Sequence, residues 1–225
     1  ASYTVTDGEL TVQSTLTLSI DAINDAPVAT DDVYAVTEDT PTTGNLITGD
    51  SGNGPDSDTE NDPLTVTGFE VDTNGDGSPE AFTPGQTAVI EAADGSPIGE
   101  LTINTDGSFS FEPAPNYTGP VPVVTYTITD DDATDPQTDS ATLTLGPVTP
   151  VNDAPADESE SNTVTEDTTL VVADGAVGDL LNNASDIDGD VLSIEDFTVE
   201  GVTYAAGQTA TIAGVGELTI NADGS

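Results

Sequence analysis

Residues 99–113 read GELTINTDGSFSFEP. Leu101 and Ile103 alternate with polar neighbours, and so do Phe109 and Phe111. A period of two puts the apolar side chains on one face, the signature of a half-buried strand. The Asp106–Gly107 pair between the two runs is a hairpin turn signal. The same alternation fills SYTVTDGELTVQSTLTLSI (2–20), LTVTGFEV (64–71), VVTYTITD (123–130) and SATLTLGPV (140–148). Val, Ile and Thr suit pleated strands, while Gly, Pro and Thr spread along the chain leave no room for a long helix. Short strands with regular turn signals predict an all-β chain of Ig-like sandwiches. With five Tyr and five Phe in 225 residues, each core is built mainly from small aliphatic side chains, and stability is expected to be marginal without help.

The opening motif recurs. LTINTDGS (101–108) returns as LTINADGS (218–225), and GQTAVI (85–90) as GQTATI (207–212). AINDAP (22–27) returns as PVNDAP (150–155), and TEDT (37–40) as TEDT (165–168); both recur after 128 residues. YTITD (126–130) has its partner in YTVTD (3–7). One module is therefore repeated in tandem. The expected organisation is end to end. Residues 1–23 are the C-terminal strands of a preceding repeat, 24–151 a complete repeat, and 152–225 the N-terminal part of the next. That last part lacks a counterpart of 109–150, and residues 1–23 resemble the later portion of it. Either the chain is cut within a repeat, or its N-terminal tail pairs into the incomplete module of a neighbour.

Charge narrows the function classes. The chain has 43 Asp plus Glu and no Lys, Arg or His, a formal net charge of −43. Like charges 4 Å apart repel by about 1 kcal/mol in water and by more near a protein surface, so self-repulsion opposes the compact state. No internal ion pair between side chains can offset it; bound cations can. Nucleic acid and anionic membranes, which attract Lys and Arg, are not expected partners. The chain has no Cys, which excludes disulfides, thiolate metal sites and cysteine nucleophiles. No apolar run approaches the ~18 residues of a membrane span. No initiator Met or signal peptide is present, so a segment of a longer protein is expected. Catalysis would have to rest on carboxylate pairs alone, and active sites are rarely tiled with a repeat. The chain is not expected to be an enzyme.

The acidic residues are grouped. PDSDTENDPLTV (55–66) holds Asp56, Asp58, Glu60 and Asp62, and its counterpart SDIDGDVLSI (185–194) holds Asp186, Asp188 and Asp190. A D-x-D pair on extended backbone suits a hard cation seeking six to eight oxygens. Asn24–Asp25 and Asn152–Asp153 offer oxygens at the module junctions. Glu38–Asp39 and Glu166–Asp167 lie near module starts; Asp130, Asp131, Asp132 and Asp135 lie near a module end, and Asp7 occupies the matching place in the first fragment. DTNGDGSPE (72–80) presents Asp72, Asn74, Asp76 and Glu80 around Gly77, the opening half of an EF-hand-type loop. Its twelfth position is Thr83 and no helices flank it, so it is not an EF-hand. It is a six-residue insertion relative to the later copy. A calcium-binding hairpin loop and a solvated turn both fit it.

Taken together, VNDAPVATDDVYAVTEDT, DSDTENDPLTVTG, GELTINTDGSFSFEPAPNYTG and VTYTITDDDATD resemble the bacterial cadherin-like tandem repeats, the extender modules of large RTX-type surface adhesins. The resemblance covers the whole chain. It implies cadherin-like sandwiches with Ca2+ clamped at the linkers of a secreted, extracellular protein at the bacterial cell surface. The 151–155 linker would take Glu38, Asp130 and Asp132 from the module before, Asn152 and Asp153 from itself, and Asp186, Asp188 and Asp190 from the module after. The 23–27 linker would take Asp7, Asn24, Asp25, Asp56, Asp58 and Asp62. The implied role is a calcium-rigidified spacer supporting adhesion or biofilm. Its expected partners are neighbouring repeats of the same polypeptide and identical chains in a filament. The competing reading is a ligand-binding sandwich, for carbohydrate or protein, with Tyr117, Phe82 and Tyr204 as its aromatic candidates.

Overall fold

A computed structural model describes residues 1–20, 23–49 and 52–225. The expected N-terminal fragment therefore includes two positions, 21 and 22, that lie outside the described residues. All regular structure among the described residues is β. Strands β1 (Ser2–Thr6) and β2 (Thr11–Thr15) form an N-terminal hairpin. Then follow β3 (Asp32–Thr37), β4 (Thr42–Asn45), β5 (Thr65–Val71), β6 (Glu80–Phe82), β7 (Thr87–Glu91), β8 (Pro97–Ile103), β9 (Ser108–Pro113), β10 (Val124–Thr129) and β11 (Thr138–Thr149). These nine make two sheets, ordered β3-β11-β10-β5-β6 and β4-β9-β8-β7.

The alternation predicts which side chains enter the core. Leu101, Ile103 and Phe111 are fully buried, as are Val71, Val124, Tyr126, Ile128 and Leu143 from the other sheet. Their Thr and Ser neighbours face out, and Thr127 Oγ1 meets Ser140 Oγ at 2.9 Å across β10 and β11. The β8–β9 hairpin pairs Leu101 with Phe111 and Ile103 with Phe109. Its loop is closed by Asp106, whose Oδ1 accepts the Ser108 amide N–H at 3.0 Å and hydroxyl at 2.6 Å. Gly107 has φ 79, and a Cβ there would meet Ile47 Cγ1 at 2.8 Å. Glycine is needed on both grounds.

The chain divides into two compact units. The first holds Ala1–Val36, Thr40–Ala114 and Gly119–Val148; the second holds Thr37–Asp39, Pro115–Thr118 and Thr149–Ser225. In the second unit β12 (Asp196–Val199) pairs with β13 (Val202–Ala205), and β14 (Thr209–Ile212) with β15 (Gly216–Thr219). These hairpins reproduce earlier ones at the level of single contacts. Phe69 stacks on Phe82 at 5.2 Å, and Phe197 on Tyr204 at 5.5 Å. Ala88 pairs with Leu101, and Ala210 with Leu218. Thr87–Thr102 and Thr209–Thr219 each join hydroxyls at 2.8 Å. The copies differ in length at two hairpins, the expected insertion and the β7–β8 connection, which is five residues longer than its β14–β15 counterpart. Glu200 and Gly201, both at positive φ, turn β12 into β13, where 72–79 join β5 to β6. No helix among the described residues is long and apolar enough to cross a membrane.

Candidate metal centre

The junction before the complete module is built by four short segments of the first unit. An isolated bridge pairs Val28 with Ser57 and lays the 24–28 segment along the acidic loop. In that loop Asp58 Oδ1 accepts the N–H groups of Glu60 at 2.8 Å and Asp62 at 3.1 Å. This Asx turn folds the loop and turns the carboxylates of 58, 60 and 62 toward the junction. The Asp25 N–H donates to Glu60 Oε2 at 3.2 Å. Asn24 Nδ2 donates to Asp130 Oδ2 and to the Asp135 carbonyl, both at 2.9 Å. Asp130 is buried, and the Gln137 N–H also reaches its carboxylate at 3.0 Å.

The junction after the module repeats this arrangement within the second unit. Ala156 bridges Ser185, 128 residues beyond the first bridge. Asp186 Oδ1 accepts from Asp188 N–H at 3.0 Å and Asp190 N–H at 3.2 Å. The Asp153 N–H donates to Asp188 Oδ2 at 2.7 Å. Glu38 arrives from the end of β3. Its own N–H donates to the Thr149 carbonyl at 3.0 Å, and its Oε1 accepts the Val151 N–H. One carboxylate oxygen from each of Glu38, Asp153 and Asp188 lies within 4.8 Å of the others.

Electrostatics mark both junctions as deficient in positive charge. Burial raises the Asp62 carboxyl above the ordinary carboxylate value, and Asp58, Asp132, Asp130 and Asp131 add to this. Burial also raises Asp153, with Asp39, Asp188, Glu38 and Asp186 adding to it. Among the described residues, three buried oxygens in these junctions have no hydrogen-bond partner: Asn24 Oδ1, Asp58 Oδ2 and Asp153 Oδ2. Buried polar atoms are normally paired, and leaving one unpaired costs about 1–3 kcal/mol. The donors are all carboxylate, amide or carbonyl oxygens. That set fits a hard divalent cation such as Ca2+ and gives soft metals no favoured ligand.

Other candidate residues stand elsewhere. Asp130 and Asp132 belong with Asn24 and Asp62, not with 151–155 as the resemblance implied. The antiparallel register sets Thr129 opposite Thr65, so β10 ends beside the 58–62 loop. Asp132 is also engaged locally, and the Thr134 hydroxyl lowers its pKa most. Asp56 is buried away from the Asx turn. Its Oδ1 accepts the Thr30 N–H at 2.7 Å, and Tyr126 Oη lies 3.5 Å away and 3.1 Å from Asp32 Oδ2. Burial raises Asp56 to about 6. Asp7 turns β1 into β2, accepting the Leu10 and Glu9 N–H groups, which lower its pKa. The Asn152 side chain donates to the Asp153 carbonyl.

The insertion 72–80 closes on itself. Asp72 accepts the N–H groups of Gly75 and Gly77, Asn74 that of Asp76, and Asp76 that of Ser78. Glu80 accepts the Thr73 hydroxyl at 2.7 Å and the Asn74 amide at 3.0 Å. Two of the aromatic candidates for ligand binding, Phe82 and Tyr204, are the stacking partners of Phe69 and Phe197. Glu60 is the residue missed from sequence. Its signal was available, since it stands 128 positions before Asp188.

A family model for the bacterial cadherin-like domain matches residues 24–147, and one for a bacterial Ig-like domain matches 172–225. No curated protein and no solved structure is matched. Both are families of surface or extracellular bacterial modules that are generally structural rather than enzymatic, and cadherin-like domains typically bind calcium. With more than half of its length matched, and with the tandem sandwich fold that the match implies, the chain belongs to the bacterial cadherin-like domain family.

Proposed function

We propose that this chain is a calcium-rigidified spacer of a bacterial surface adhesin or extracellular filament. The observation that carries the reading is the duplicated junction. Asn24, Asp25, Asp58, Glu60, Asp62 and Asp130 surround one linker, and Glu38, Asp153, Asp186, Asp188 and Asp190 surround the other. Both carry buried oxygens without a partner.

A bound calcium ion supplies two positive charges and a preference for many oxygen ligands. The residues do the rest. Asp58 and Asp186 each spend one oxygen on folding their own loop. Asp58 keeps its second oxygen free, and at the other junction Asp153 does so. Asp130, just past the end of β10, ties the first junction to its sheet. A cation held in this way stabilises the folded state by mass action and relieves the repulsion among the carboxylates. Calorimetric titration with calcium tests this. Saturable binding that Asp58→Asn and Asp153→Asn each weaken supports the reading. Absence of binding at millimolar calcium would sink it.

A further inference from the structure

The complete module buries a further group of oxygens that neither junction uses. Asp32, at the start of β3, is 1% exposed, and Asp56 is 7% exposed. Both carboxyls converge on Tyr126 of β10, which is fully buried. The Tyr126 hydroxyl lies 2.7 Å from the Thr30 carbonyl, 3.1 Å from Asp32 Oδ2 and 3.5 Å from Asp56 Oδ1. A hydroxyl carries one hydrogen, so it serves one of these three acceptors at a time. The shortest contact assigns it to the Thr30 carbonyl. The Thr30 N–H donates to Asp56 Oδ1 at 2.7 Å. Asp56 Oδ2, on the same carboxyl, is buried and has no hydrogen-bond partner among the described residues.

Two carboxyls buried against one hydroxyl call for positive charge, because a buried charge is costly unless it is paired. The chain holds no Lys, Arg or His to supply it. Asp139 of β11, whose Oδ2 accepts the Ala29 N–H at 2.9 Å, adds to the negative field at Asp56. A proton on Asp56 offers one hydrogen to one acceptor. A metal ion meets several oxygens at once. Burial raises the Tyr126 hydroxyl, with Asp56 and Asp32 adding to it, so it remains a neutral ligand. The donor set is then two carboxylates, a hydroxyl and a main-chain carbonyl. These are hard oxygens, and their two negative charges match one divalent cation.

We propose that Asp32, Asp56, the Tyr126 hydroxyl and the Thr30 carbonyl form a site for a hard divalent cation inside the complete module, separate from both junctions. The unpaired, buried Asp56 Oδ2 is the observation that points to a ligand. The site is peculiar to this copy of the repeat. At a spacing of 128 residues, Asp56 is matched by Ala184 and Asp32 by Glu160. The junction acids Asp58 and Glu60 are matched by Asp186 and Asp188 instead. An ion held here ties the 55–58 segment to β3 and β10 within one sandwich, where a junction ion acts on a linker. The proposal does not depend on the spacer reading.

The test uses the full 225-residue chain at neutral pH. Its background is the Asp58→Asn, Asp153→Asn double variant, in which both junctions are weakened. Calorimetric titration with calcium is expected to retain a binding step in that chain. Adding Asp56→Asn should abolish the step, with the circular dichroism spectrum unchanged. Terbium gives a second readout, since it replaces calcium and emits when a nearby tyrosine is excited. In the same background Tyr126→Phe, which keeps the ring and removes the hydroxyl, is expected to abolish most of the sensitised emission. No calcium step in the double variant overturns the proposal. So does a step that survives Asp56→Asn, or emission indifferent to Tyr126→Phe, since the ion would then sit on other residues.

Discussion

In Asp58 the two carboxylate oxygens have different surroundings. Its Oδ1 holds the turn through two backbone N–H groups, and its Oδ2 is buried and unpaired. Asp153 repeats the unpaired oxygen at the next junction. Removing either charge is expected to weaken calcium at that junction tenfold or more, about 1.4 kcal/mol, read by calorimetry on Asp58→Asn and Asp153→Asn. Asp56, two residues away, behaves differently. Its folded pKa of about 6 exceeds the ordinary 3.8 because the carboxyl is buried. The folded state therefore holds a proton that the unfolded chain releases. The stability this contributes is present below pH 4 and is lost as pH rises through 6. In chelator, melting temperature is expected to fall between pH 4 and 7, and less steeply in Asp56→Asn. Equal slopes would show that Asp56 is ionised throughout. From sequence, both Asp56 and Asp58 are assigned to the linker, because both precede the same strand. The 128-residue spacing separates them, since Asp186 and Asp188 match Asp58 and Glu60.

The strands that alternate cleanly were legible in sequence. β5, β9 and β10 fall inside alternating runs and β8 and β11 overlap theirs, and the side chains they bury, such as Phe69, Leu101, Phe111, Ile128 and Leu143, sit at the alternating apolar positions. The edge strands were not, because β4 (TTGN) and β6 (EAF) are too short to show a period. They are placed by pairing with β9 and β5. The end of the module at which Asp130 sits was also hidden, since it depends on the antiparallel pairing of β10 with β5. Core positions should differ in cost between the two copies. Phe111→Ala, which empties a fully buried site, is expected to cost about 3–5 kcal/mol. Leu218→Ala, at a partly open site, should cost clearly less, and thermal unfolding of the two variants measures the difference. The 72–79 loop satisfies its own carboxylates. Replacing it with the two-residue Glu-Gly turn of the later copy is expected to leave the circular dichroism spectrum unchanged. Loss of the β signal would mean that the insertion supports the sheet.

Over the whole chain, 43 acidic side chains face no basic one. Nothing of opposite sign among the side chains can organise them, so stability must respond to what the solution supplies. Added monovalent salt, by shortening the reach of repulsion to about 10 Å at 0.1 M, is expected to raise the melting temperature in chelator. Calcium should do so at far lower concentration, because the junction oxygens gather around it instead of merely being screened. The decisive comparison is small-angle scattering of the chain in millimolar calcium and in chelator. The account predicts an extended particle of fixed maximum dimension in calcium, and a more flexible, broader distribution in chelator. Scattering profiles that superimpose in the two buffers would contradict it.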